Sequence, residues 1–91
     1  MGPIVLQGVS LEEKPRRLIA VFTLSARPTR RWITFFRARA RYSVFDAGSA
    51  RFSANQARVD LLRPEDLEPL TQSVQRFIEG ANLDGELAGP S

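Results

Sequence analysis

Residues 28–42 read PTRRWITFFRARARY, and the way this stretch coils decides the fold. It holds the only Trp and the only Tyr, two of the six Phe and five of the twelve Arg of the chain. At about 100° per residue, Trp32, Ile33, Phe35, Phe36 and Ala40 gather on one side and Arg30, Thr34, Arg37 and Arg41 on the other. Spacings of three and four between the rings, and the helix preference of Ala and Arg, predict a helix over 29–41. A strand competes for 36–44, where Phe36, Ala38, Ala40, Tyr42 and Val44 alternate with polar residues. Arg39 is the misfit, because it falls on the apolar side of the helix. It either snorkels, pairs with a carboxylate, or marks an earlier helix end.

Upstream, Arg27-Pro28 closes a strand, and Pro28 suits a first helical turn, where its missing N–H costs nothing. That strand, Arg17 to Ser25, carries Leu18, Ala20, Phe22 and Leu24 on one face and Ile19, Val21, Thr23 and Ser25 on the other. The first face reads as core. The second is more apolar than an open sheet face requires, so something is expected to cover it. Before it, Glu12 to Pro15 reads as a hairpin connection. Ile4 to Leu11 reads as a strand too crowded with apolar residues to be wet on either face.

Downstream, Ser43 to Phe45 reads as a short strand and Asp46 to Ser49 as a turn. A return strand is expected over about 50–62. Its apolar phase is even at Phe52 and Ala54 but odd at Ala57, Val59 and Leu61, which predicts a bulge or break at Asn55-Gln56. Leu67, Leu70, Val74, Phe77, Ile78 and Ala81 then mark one face of a C-terminal helix. Asp66 is its expected N-cap, which makes Pro69 the third helical residue, and Gly80 or Asn82 its stop. The elements sum to an α+β fold, ββαββα, with a four-stranded antiparallel sheet and both helices packed on one face. Residues 1–83 form a single domain and 84–91 a mobile tail in this reading.

The net charge of +3 hides a split. Residues 1–45 carry nine Lys/Arg against two Glu, whereas 46–91 carry four Arg against eight Asp/Glu. Either the halves neutralise each other on folding, or one side attracts an anionic partner or a second copy.

Catalysis is poorly served. The chain lacks both Cys and His, which removes thiol chemistry and the commonest general base and metal ligand. The serines have no imidazole partner, Glu12 and Glu13 read as a solvated loop, and no Asp/Glu spacing suggests a metal site. No glycine-rich phosphate loop is present either. The expectation is a non-enzyme without cofactor, metal or small-molecule substrate. The longest apolar run, Leu18 to Phe22, is far short of a membrane span, and no targeting segment is evident, so no membrane partner and a cytoplasmic location are expected.

Two binding roles follow. The first is self-association, as a homodimer or with another protein, through the helix-free sheet face at Val5, Val9, Ile19 and Val21. The second is nucleic-acid backbone binding by Arg27, Arg30, Arg31, Arg37 and Arg41, which as a helix face span about 16 Å from Arg30 to Arg41. Trp32, Phe35 and Phe36 lie opposite the arginines and are expected in the core.

Overall fold

A computed structural model describes residues 3–41, 43 and 47–88. Six elements follow one another: β1 (Leu6–Lys14), β2 (Arg17–Leu24), α1 (Arg30–Ala40), β3 (Arg51–Ser53), β4 (Gln56–Leu61) and α2 (Leu67–Leu87). The strands form one antiparallel sheet in the order β1-β2-β4-β3. Both helices cover one face of it, as the ββαββα pattern requires.

The core follows from strand pairing. Phe22 stands opposite Ala57, Ala20 opposite Val59 and Leu18 opposite Leu61, so a large side chain meets a smaller one at the first two pairs. Onto these pack Trp32 and Phe36 from α1 and Leu70, Val74 and Ile78 from α2. Phe36 is the hub, with ring centroids 5.6 Å from Trp32, 5.3 Å from Phe52 and 5.9 Å from Phe77. The contacts to Phe52 and Phe77 are edge-on, the arrangement ring quadrupoles favour.

Three elements depart from the sequence reading. Residues 50–62 are not one strand with a bulge. The bulge or break expected at Asn55-Gln56 is a break one residue earlier, a two-residue turn at Ala54-Asn55 between β3 and β4, with Ala54 held at φ 52°. The bulge lies instead in β1, between Leu6 and Gly8. It lets Leu6 and Val9 face the same side, opposite Leu24 and Phe22, which accounts for the crowded apolar residues there. β1 is therefore an edge strand that is not dry on both faces: Gln7 and Ser10 are exposed, and Val9 is 38% exposed. The short strand expected at Ser43 to Phe45 falls mainly on Val44 and Phe45, outside the described residues.

The third departure is α2, which runs past the expected stops at Gly80 and Asn82 to Leu87. Residues 84–87, read as the start of a mobile tail, are its last helical turn. Asp66 does occupy the N-cap, but its side chain makes no capping bond; a single turn of 3₁₀ helix, Pro64–Asp66, leads the chain in. At the far end of α1 the Ala47–Ser49 turn presses close, so a side chain larger than glycine's would be crowded there. A Cβ on Gly48 would stand 3.1 Å from Arg41 Cα and 3.2 Å from the Ala40 carbonyl.

Candidate nucleic-acid interface

Thr29 starts α1. In extended conformation (φ −76°, ψ 162°), its Oγ1 accepts from the Trp32 amide at 3.1 Å and satisfies one of the orphan donors of the first turn. Pro28 accordingly sits outside the helix, before the cap, rather than in its first turn. The cap fixes the helix phase: Trp32, Phe36 and Ala40 go down into the core, and Arg30, Thr34, Arg37, Ala38 and Arg41 are exposed.

Arg39 resolves in favour of a carboxylate. Its Nε and Nη2 donate to Asp84 Oδ2 and Oδ1 at 2.7 and 2.8 Å, a bidentate clip between α1 and the last turns of α2. These bonds hold the Asp84 carboxyl below its ordinary pKa and raise that of Arg39. Gly80 makes room for the clip, since a Cβ there would come within 2.5 Å of Arg39 Nε and 2.8 Å of its Cζ.

Two of the outward arginines are steadied by rings. Arg37 lies 5.7 Å from the Phe52 ring centroid and donates to the Ala50 carbonyl at 3.1 Å. Arg31 lies 5.6 Å from the Phe35 ring centroid. Two shallow depressions flank this side of α1. One, of about 380 Å³, is lined by Arg27, Pro28, Arg30, Ile33, Phe52, Ser53 and Ala54. The other, of about 450 Å³, is lined by Thr34, Arg37, Ala38, Arg41, Gly48 and Ser49. Among the described residues, neither lining includes a carboxylate. A guanidinium bordering such a hollow beside hydroxyl groups can grip a phosphate through its planar fork.

Several carboxylates are engaged away from this face. Asp60 takes Arg17 at 3.0 Å and Arg51 at 3.2 Å, Arg17 contributing most to holding its carboxyl below the ordinary pKa. Glu12 takes Arg58 at 3.6 Å, and Glu65 and Asp66 take Arg63 at 3.9 and 3.7 Å. Among the described residues, Arg27, Arg30 and Arg37 form no ion pair within 4.0 Å of a carboxylate.

The helix-free sheet face is not bare. Ile19 lies between Glu12 and Asp60, and Val21 between Ser10 and Arg58. The Arg58–Glu12 pair reaches across β2, and both apolar residues are only 3% exposed. Val9 pairs with Phe22 and therefore belongs to the opposite, helix-covered face. Val5, 52% exposed, precedes β1, its carbonyl accepting from the Ser25 amide at 2.9 Å. The four residues read as one apolar patch are thus not gathered on one surface.

Asn82 was legible only as a helix stop, yet it joins three parts of the molecule. Its Oδ1 accepts from the Ile4 amide at 3.1 Å and from Trp32 Nε1 at 2.9 Å, while its Nδ2 donates to the Ile4 carbonyl at 2.8 Å. Beside it opens a groove of about 320 Å³, lined by Pro3, Ile4, Arg27, Thr29, Arg31, Trp32, Phe35, Asn82, Gly85 and Glu86. Neither feature follows from periodicity, because both depend on where the N-terminal segment docks.

The chain matches no protein-family model, no curated protein and no solved structure. Among the described residues no three His, Cys, Asp or Glu side chains are grouped to hold a metal ion, and no helix is long and apolar enough to cross a membrane.

Proposed function

We propose that this domain is a non-catalytic, cytoplasmic binding module that docks a nucleic-acid backbone along the outer face of α1. One observation carries the reading: the two hollows beside that face are edged by Arg27 and Arg30 and by Arg37 and Arg41, and among the described residues Arg27, Arg30 and Arg37 form no ion pair within 4.0 Å of a carboxylate. Phosphates are recognised by charge-assisted forks, and Arg37, held over Phe52, loses less freedom on binding than a mobile side chain would. Affinity of this kind comes largely from released counterions.

Three to five phosphate contacts give a single strand a log–log salt slope between about −2 and −3.5. Fluorescence anisotropy with short RNA and DNA at low salt tests this. Binding should weaken along that slope as salt rises, and Arg30→Glu and Arg37→Glu should each flatten the slope. Absence of binding at low salt, or binding indifferent to salt and to Arg37→Glu, would remove the proposal. Self-association through Val5, Val9, Ile19 and Val21 has less to work with, since Ile19 and Val21 are already covered within one chain.

A further inference from the structure

The hollow edged by Arg27 and Arg30 does not end at α1. Arg27 also borders the groove beside Asn82, whose walls are of different chemistry. Phe35, with the Arg31 guanidinium 5.6 Å from its ring centroid, and the largely buried Trp32 supply the aromatic lining, Ile4 an aliphatic wall, and Glu86 a carboxylate. A carboxylate repels a phosphate but accepts hydrogen bonds from the amino and imino groups of a nucleobase. The groove is open at Gly85, where an added Cβ would meet nothing within 4 Å. Asn82 does not compete for a ligand through its carbonyl, which already accepts two bonds.

Resting on the backbone-binding reading above, we infer that the partner is single-stranded and that this groove receives one unpaired base. The phosphate next to that base lies at Arg27, and the strand continues over Arg30 toward Arg37. Base pairing would bury the same edge and face in a duplex, so a double helix can use the arginines but not the groove. An aromatic wall gives stacking energy without sequence preference, and one stacked base contributes about ten-fold in affinity.

The experiment compares an oligothymidylate, the same sequence as a duplex, and inorganic polyphosphate, each titrated into the intact chain with Trp32 emission recorded. Trp32 is the only indole and its Nε1–H is bonded to Asn82 at the groove, so the emission comes from one side chain that borders the groove. The oligothymidylate should shift Trp32 emission and bind about ten-fold tighter than the duplex, and polyphosphate should bind without changing the emission. Gly85→Leu fills the groove from the solvent side, and Phe35→Leu keeps its bulk but removes the ring. Each should lower oligothymidylate affinity about ten-fold and leave polyphosphate affinity within about two-fold. Equal binding of strand and polyphosphate, a silent Trp32, or indifference to both variants would overturn the base site. Salt-dependent, Arg37-dependent binding would in that case leave the backbone reading standing. Binding of none of the three probes would sink both.

Discussion

Single residues carry unequal loads here. Ala54 sits at φ 52° as the first residue of the β3–β4 turn, where a Cβ is strained and glycine is the usual occupant. Ala54→Gly should raise stability by about 1 kcal/mol, read as a higher urea midpoint at unchanged m-value. Asn82 is the opposite case. Asn82→Ala leaves the Ile4 amide and the Trp32 Nε1–H without their acceptor, and a loss of about 2–3 kcal/mol is expected from urea unfolding. Asp84 makes part of the stability pH-dependent. Its carboxyl is held below the ordinary value by Arg39, so the stabilisation is complete above about pH 4 and disappears as pH falls through the folded pKa. Asp84→Asn should shrink that acid-side loss in unfolding curves measured from about pH 2 to 6, leaving the part that belongs to Asp60.

Among the elements, α2 contains two glycines with opposite roles. Gly85 is helical with open space beyond it, so Gly85→Ala should stabilise by about 0.5–1 kcal/mol. Gly80 gains the same helix propensity on substitution but must displace Arg39 from Asp84. Gly80→Ala should therefore stabilise less than Gly85→Ala, or not at all, and recover the full gain in an Arg39→Ala background. A double-mutant cycle measured by thermal unfolding reads the difference. The elements themselves were legible where periodicity is local: α1 and the core face of β2 follow from Trp32, Phe36, Phe22 and their neighbours. They were misread where two signals coincide. The parity change read at Asn55-Gln56 fits a bulge or a break equally well, and only pairing of β3 with β4 separates them. Gly80 and Asn82 resemble a helix stop because their actual reason, a side chain arriving from α1 and a backbone arriving from residue 4, lies far away in sequence.

At the scale of the whole molecule, charge is sorted by surface. The helix-free sheet face carries a mixed lattice of Arg17, Arg51, Arg58, Glu12 and Asp60, while the outer side of α1 carries arginines. The uneven distribution of charge along the sequence announced an imbalance, but not which arginines the carboxylates would consume. The sheet-face lattice also decides how Ile19 responds to truncation. Ile19→Ala should cost about 2–3 kcal/mol as a buried deletion within one chain, with an unfolding midpoint independent of protein concentration. A midpoint that rises with concentration, accompanied by dimer mass in light scattering, would instead return this face to the role of an interface.

The bonds between Asn82 and Ile4 bring together positions 78 apart in sequence. A flexible linker from the end of α2 back to Ile4, with the chain reopened at the exposed Pro15-Arg16 turn, gives a circular permutant with the same contacts. In that reordered chain the Ile4–Asn82 closure becomes a local one, but the β1–β2 hairpin, cut at its turn, becomes the most distant pairing. Refolding should then slow, because the most extensive strand pairing has lost its short connection, while amide exchange at Ile4, whose N–H is bonded to Asn82, should be retarded.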